Sequence, residues 1–219
     1  MREKIILSWS SGKDSSLALY ELIKHGNYDI TLLTTITDEY ERISMHGVRE
    51  YLLEKQADSL GCYLEKVFIT PETTNEDYQK KMEEVMNKYK GLGVTKVAFG
   101  DIFLEDIRKY REKNLEKVGM EAIFPLWGRD TGEIAKTYIK LGFKSIITCV
   151  DTKVLSGDFA GNFYDEDFMA RLPENIDPCG ENGEFHTFVF DGPIFRERIN
   201  FSVGEKVLRD ERFKFCDLV

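Results

Sequence analysis

The first residues able to do chemistry lie between Trp9 and Leu17. An apolar run, Ile5-Ile6-Leu7-Ser8-Trp9, leads into Ser10-Ser11-Gly12-Lys13-Asp14-Ser15-Ser16, and the helical pattern Leu17-Ala18-Leu19-Tyr20 follows. A strand, a loop of small residues and a helix N-terminus, in that order, make an anion site. The loop can turn several backbone N–H groups toward one ligand, and the positive end of the helix dipole assists them. Ser and Gly allow close approach, the hydroxyls add donors, and Lys13 adds a point charge. The pattern is neither a Walker A loop nor the Gly-x-Gly-x-x-Gly dinucleotide fingerprint. The plainer alternative is a capped helix start, with Asp14 or Ser15 as the cap.

A second group stands far downstream in Cys179-Gly180-Glu181-Asn182-Gly183-Glu184-Phe185-His186. Two carboxylates and a histidine in a Gly-rich turn ahead of a strand can bind an amine, hold a cation or move a proton. Cys179 and His186 alone do not make a zinc site. Smaller candidates are His46 and Arg49 after the second apolar run, Gly100-Asp101 at the end of the fourth, and Arg108 and Arg111 just beyond. Glu105, Asp106 and Glu112 around those last two arginines equally suit a solvated helix face.

Alternating elements must position these residues. Strands are expected at Lys4 to Trp9, Ile30 to Thr37, Cys62 to Ile69, Lys96 to Gly100, Glu121 to Leu126 and Ser145 to Val150. Between them run helical periods. Tyr78, Met82, Val85, Met86 and Tyr89 form one stripe; Val48, Leu52, Gln56 and Leu60 form another, interrupted by one polar residue. Both stripes read as core faces. Thr74 or Asn75 and Asp130 or Thr131 can cap helices, and Gly91, Gly119 and Gly142 can end them. Strands separated by helices predict an α/β fold with a doubly wound parallel sheet of five or six strands. After about Asp151 the texture changes to loops, a short helical piece near Glu166 to Leu172 and alternating strands from Phe185. The expectation is a domain over 1–150 and a smaller α+β subdomain over 151–219. The phosphate-loop candidate then falls at the carboxyl edge of the first strand, where such sheets bind ligands.

Composition narrows the classes. The chain has 219 residues, 42% of them apolar, enough for a real core. No stretch approaches the roughly 18 apolar residues a membrane span needs, and Met-Arg-Glu-Lys-Ile-Ile-Leu is unlike a signal peptide. Cys62, Cys149, Cys179 and Cys216 are scattered with no Cys-x-x-Cys pair, which fits a reducing cytoplasm. Cys62 and Cys149 read as inert core residues. The net charge of −9 argues against a nucleic-acid partner, though not against a local basic pocket for a small anion. The sequence leaves a homodimer open.

Ser10-Ser11-Gly12-Lys13-Asp14-Ser15 resembles the Ser-Gly-Gly-x-Asp-Ser PP-loop of the N-type ATP pyrophosphatases, which cleave ATP between the α and β phosphates. Ser11 departs from the pattern, standing where most of that superfamily has Gly. Met45-His46-Gly47-Val48-Arg49, Ala98-Phe99-Gly100-Asp101-Ile102, Glu105 to Arg111, Asp177 to Thr187 and Asp191-Gly192-Pro193 narrow the resemblance. Together they are similar to the diphthine–ammonia ligase family of PP-loop ATPases, in its compact bacterial-type branch. The resemblance runs to about Phe195 and draws nothing from the residues beyond.

That resemblance implies an adenine-nucleotide α-hydrolase fold, Rossmann-like, with ATP across the switch point between the first and fourth strands. It implies a reaction in which a carboxylate attacks the α-phosphate, pyrophosphate leaves, and ammonia displaces AMP from the acyl adenylate. In the archetype the carboxylate is diphthine on translation elongation factor 2. Bacteria are not expected to make diphthamide, so the acceptor here is an unidentified carboxylate, free or on a protein, with ammonium as partner. Ser10, Ser11, Gly12, Lys13, Asp14 and Ser15 would cradle the departing pyrophosphate. Asp14 would cap a helix or meet Mg²⁺, and Asp101, beside Gly100, would bind metal or substrate or cap a helix. His46 and Arg49 would meet the α-phosphate or the acceptor. Glu181, Glu184 and His186 would bind ammonium, hold Mg²⁺ or act as a base. Lys13, Arg49, Arg108 and Arg111 are expected to converge on the phosphates. Two other readings use the same loop. One is a tRNA-modifying PP-loop enzyme, against which the acidic charge counts. The other is a nucleotide sensor without turnover, against which Lys13, Asp14 and the Glu181/Glu184 block count.

Overall fold

A computed structural model describes residues 2–43 and 46–219. Met45, the first residue of the Met45-to-Arg49 motif, lies outside them. Strands β1 (Glu3–Ser8), β2 (Tyr28–Thr37), β4 (Tyr63–Ile69), β5 (Lys96–Ala98) and β6 (Glu121–Ile123) form a parallel sheet in the order β4-β2-β1-β5-β6. The two-residue β3 (Arg42–Ile43) adds an antiparallel extension at the far end of β2. The order reverses between β1 and β5, both leaving from the middle of the sheet, and this is where a ligand crevice opens in such folds.

The unbroken apolar run of β1 explains its central place. Ile5 and Leu7 face one core and Ile6 the other, all three fully buried, as a strand covered on both faces requires. Helices α1 (Lys13–His25) and α2 (Glu50–Leu60) bring Leu17, Leu19, Leu52 and Leu53 to the first core. On the other face, α3 (Asn75–Gly91) and α4 (Glu105–Lys117) bring Met86, Tyr89 and Leu115 against Ile6, Leu33 and Val97. Thr74 and Asp130 cap α3 and α5 (Thr131–Lys140), each accepting an N–H from three residues on. Gly119 and Gly142 follow α4 and α5 with left-handed backbone, as expected. After α3 that role falls to Gly93, because Gly91 continues the helix.

The expected sixth parallel strand is the main departure. Lys144–Asp151 forms β7, but it pairs antiparallel with β8 (Phe185–Asp191) and β10 (Phe213–Leu218). With β9 (Val203–Arg209) these make a second, four-stranded sheet in the order β8-β7-β10-β9. Local apolar character marks a strand but not its partners, and the partners of β7 come from the last 35 residues. The change of sheet therefore falls between Ile123 and Lys144, upstream of residue 150. The short α6 (Glu166–Arg171) lies where a helical piece was expected.

One core joins both sheets. Ile5, Leu7 and Trp9 belong to the same buried cluster as Ile146, Ile147, Phe185 and Phe188. Gln56, the polar interruption of the α2 stripe, is fully buried at the junction. It accepts from Trp9 Nε1 at 3.0 Å and donates to the carbonyls of Ser11 at 3.2 Å and Val189 at 2.5 Å. No helix of the described residues is long and apolar enough to cross a membrane.

Candidate active site

The loop after β1 is held from both sides. The Val189 N–H of β8 donates to the Ser11 carbonyl at 2.9 Å, and the Lys13 N–H donates to Thr187 Oγ1 at 2.9 Å. Strand β8 thus runs beside the loop as if it were one more strand. Ser11 takes the left-handed conformation, φ +68°, that the resemblance reserves for glycine. Its hydroxyl is buried without a hydrogen-bond partner and lines neither of the cavities described below, so this residue serves through its backbone. Gly12 caps α1 with no side chain of its own. A Cβ there would sit 3.0 Å from His46 Cε1 and 3.2 Å from the Thr187 carbonyl. The same logic explains Gly100: its Cβ would meet the Asp14 and Ser15 backbone at 3.0 Å, so only glycine lets the tip of β5 touch the start of α1.

Two adjoining cavities open at this point. The polar one, about 250 Å³, is lined by Ser10, Lys13, Asp14, Ser15, Asp101 and Glu181. The larger one, about 520 Å³, runs under α3 and α4 and is walled by Leu33, Met82, Met86, Val97, Phe99 and Tyr110. His46, His186, Ser10 and Arg111 border both. The Tyr78–Tyr89 stripe is therefore core at Met86 and Tyr89 and cavity wall at Tyr78, Met82 and Met86.

Charge inside the polar cavity is paired. Lys13 Nζ meets the two Asp14 oxygens at 2.6 and 2.7 Å. Burial works against the Lys13 ammonium, but Asp14 outweighs it and holds its pKa above the usual lysine range. Asp14 is thus neither the cap of α1, which is Gly12, nor a free carboxylate. Asp101 is ion-paired to Arg111 at 2.6 Å, while the guanidinium lies 4.4 Å from the Phe99 ring centre. It does not cap α4, whose N-cap is Leu104. Glu181 Oε1 accepts from the Ile102 N–H at 2.7 Å, tying the downstream turn to the loop after β5. Burial pushes its carboxyl up to about 7, against the backbone donors and helped by Asp14 and Asp101.

The rings of His46 and His186 lie 4.5 Å apart. Burial lowers His46 to about 4 and His186 well below the ordinary histidine value, so both are neutral near pH 7. His46 Nδ1 is 3.2 Å from the Thr187 carbonyl. A carbonyl can only accept, so Nδ1 carries the proton and Nε2 is left as an acceptor.

Other expected residues stand elsewhere. Glu184 is buried, but its oxygens accept from the N–H groups of Asp177 and Asn182 and from the Asn182 amide, organising the turn and facing neither cavity. Arg49 binds Asp217 of β10 at 2.6 Å and lines neither cavity. Arg108 pairs with Glu112 and stacks 4.6 Å over Trp127, also outside both. Of four cations expected to converge, Lys13 and Arg111 do. Cys149 is buried with its thiol pushed up to about 12, while Cys62 precedes β4 and is half-buried. Among the described residues no cluster of three or more His, Cys, Asp or Glu could hold a metal unaided. Sequence reasoning missed the roles of Gln56, Thr187 and Asp217, although Gln56 stood in a helical stripe and Thr187 in a motif already singled out.

The model of the diphthamide synthase N-terminal domain matches residues 3–122, and that of the diphthamide synthase C-terminal domain matches residues 130–218. Diphthine–ammonia ligase of Mus musculus is 25% identical, covering 91% of this chain and 83% of its own. The Schizosaccharomyces pombe enzyme of that name is 24% identical over 93% of this chain, which spans only 37% of the yeast protein. A predicted subunit of tRNA methyltransferase from Methanocaldococcus jannaschii superposes with a TM-score of 0.46 at 19% identity, over 65% of this chain and 80% of that one.

Proposed function

The chain belongs to the diphthamide synthase family, and from that premise we infer that it is an ATP-dependent ligase of the PP-loop type that makes a C–N bond. The observation that carries the reading is the pair of adjoining cavities at the switch point, one polar at the start of α1, one apolar beneath α3 and α4. The triphosphate occupies the first and the adenosine the second, whose 520 Å³ is of the size small-molecule sites have.

A carboxylate of the acceptor attacks the α-phosphorus. The bond from that phosphorus to the oxygen bridging the β-phosphate breaks, and pyrophosphate leaves toward the N-terminus of α1. There the loop N–H groups, the hydroxyls of Ser10 and Ser15 and the Lys13 ammonium take up the charge developing on it, which is the principal task in such transfers. Ammonia then attacks the acyl carbon and AMP departs. Glu181, with its carboxyl near 7 and facing the same cavity, takes the proton that the nitrogen loses. His46 Nε2 and Arg111, at the junction of the cavities, orient the acceptor and the α-phosphate. Mg²⁺ fits here only in company with phosphate oxygens: Asp14 and Asp101 are the carboxylates that would hold it, and it would neutralise charge on the leaving group.

Purified protein with ATP, Mg²⁺, ammonium and a panel of carboxylates tests the reading by its nucleotide products. AMP and pyrophosphate in equal amounts, dependent on a carboxylate, support it. ADP and phosphate overturn it.

A further inference from the structure

The two edges of the second sheet are treated differently. The β8 edge is closed by the phosphate loop through the Val189–Ser11 hydrogen bond. The β9 edge is open, since among the described residues β9 pairs with β10 alone. Val203, Val207 and Leu208 on it are 50%, 42% and 50% exposed. An exposed strand edge carrying apolar side chains is a template for another strand, and proteins usually guard it with a lysine. Lys206 is the lysine on this strand. It is exposed, but its stem leans back over Gly161, with Cε 2.9 Å from where a Cβ there would lie. Glu205 and Arg209 have no ion-pair partner among the described residues; the Arg209 guanidinium merely lies 5.6 Å from the centre of the Tyr40 ring.

We propose that β9 pairs antiparallel with β9 of a second copy, about a two-fold axis through Val207, joining the two sheets into one. The charges favour this register over those centred one and two residues before it. An axis normal to the sheet pairs residues lying on the same side, so it passes through a residue and sets that residue opposite itself. Centred on Glu205, two carboxylates oppose each other; centred on Lys206, two ammoniums do. Like charges directly opposite are unfavourable. Centred on Val207, valine meets valine and each Glu205 meets the Arg209 of the other copy, pairing both charges that the single chain leaves unpaired. Val207 stands in register with Phe215 of β10 in each copy, so an apolar strip continues across the axis. The contact is isologous and closes on itself, as a two-fold dimer requires.

Light scattering and sedimentation over a range of concentrations decide it. The wild-type chain is expected at twice its 25.4 kDa mass, and Val207→Lys at the mass of one chain. Glu205→Arg and Arg209→Glu should each weaken association by about tenfold or more, and the double exchange should restore it. Circular dichroism melts confirm that each variant is folded; the charge variants, on exposed side chains, keep the test open if Val207→Lys is not. A wild-type chain of single mass at every concentration overturns the proposal. So does a dimer indifferent to these substitutions, or a double exchange no better than its single parents.

Discussion

Asp217→Asn probes how the end of the chain holds the loop that carries His46. Asp217 Oδ1 accepts from Arg42 Nη1 at 2.7 Å and Arg49 Nε at 3.1 Å, and Oδ2 accepts from Arg49 Nη2 at 2.6 Å. Arg42 also donates to the Gly47 carbonyl at 2.7 Å, and Gly47, at φ +67°, has no room for a Cβ because Phe215 lies 2.7 Å from its place. The amide keeps the shape and removes the charge facing two guanidiniums. Hydrogen bonds to charged groups contribute about 1.5–3 kcal/mol when well buried, and exposed ion pairs about 0–1 kcal/mol. Asp217 is 21% exposed and Arg49 39%, which places the loss between the two. About 1 kcal/mol per arginine, or about 2 kcal/mol together, corresponds to a fall of about 4–8 °C in Tm for a chain of this size. The difference must also depend on pH. Burial would raise the Asp217 carboxyl, but the hydrogen bonds from Arg49 and Arg42 outweigh it and hold it well below the usual range. A carboxyl depressed in the folded state stabilises above its unfolded value, about 4, and that stability is lost as pH falls toward the folded one. Thermal melts of both proteins at intervals from pH 7 to pH 2 should show a full gap at neutral pH that narrows below about pH 4. Coincident curves at pH 7, or a gap that ignores pH, would refute the clamp.

Lys13→Met leaves the half-buried Asp14 without its partner and should cost about 1–3 kcal/mol as well as AMP formation. Lys13→Met with Asp14→Leu should regain most of the Tm and none of the activity; restored turnover would show that the pair is structural. Glu181→Gln should lower the rate about 100-fold or more and abolish the rise in rate as pH passes through about 7, so a retained rise excludes Glu181 as the proton acceptor. Ser11→Gly removes a buried unpartnered hydroxyl and a left-handed strain worth about 1 kcal/mol each, against about 0.5–1 kcal/mol of added chain entropy, so Tm should rise by a few degrees with activity intact. Calorimetry of ATP with EDTA in place of Mg²⁺ should show affinity reduced about tenfold or more, because the cavity carboxylates then face the phosphates unscreened; equal affinity would leave Asp14 and Asp101 without a metal to hold.

What the sequence disclosed was local. The loop from Ser10 to Ser16 announces itself because strand, small residues and helix start are consecutive, and β1 announces itself by three adjacent apolar residues. The caps at Thr74 and Asp130 are legible for the same reason. Pairing across the chain was not. β7 has the apolar run of a parallel strand, yet its neighbours lie about 40 and 65 residues on, and no periodicity records them. Arg49 looked like an anion ligand because its partner, Asp217, is 168 residues away in a stretch that carries no motif. Glu184 looked like Glu181, three residues earlier. Only the fold shows that one carboxylate is spent on the N–H groups of its own turn and the other is aimed at the loop after β5.

The same distinction explains how an acidic chain can hold the phosphate site of the proposed function. Lys13 and Arg111 reach the polar cavity each already joined to a carboxylate, and Glu181 faces it as well, so the cavity itself has no excess of positive charge. A lysine buried alone would lose its proton; paired with Asp14 it stays charged until a ligand arrives. On the proposed function, binding a triphosphate is an exchange of partners, in which the Lys13 ammonium turns from Asp14 to phosphate oxygens. Asp14 is thereby freed at the position where a divalent cation would sit between it and the same oxygens. Attraction comes instead from groups whose charge cannot be neutralised by a neighbour. These are the dipole of α1 and the loop N–H groups other than those of Gly12 and Lys13, which donate to Ser10 Oγ and Thr187 Oγ1; β8 fixes the loop in place through Ser11 and Lys13. On the proposed function, the second sheet contributes to the chemistry first by holding that loop, and only then through Glu181 and His186.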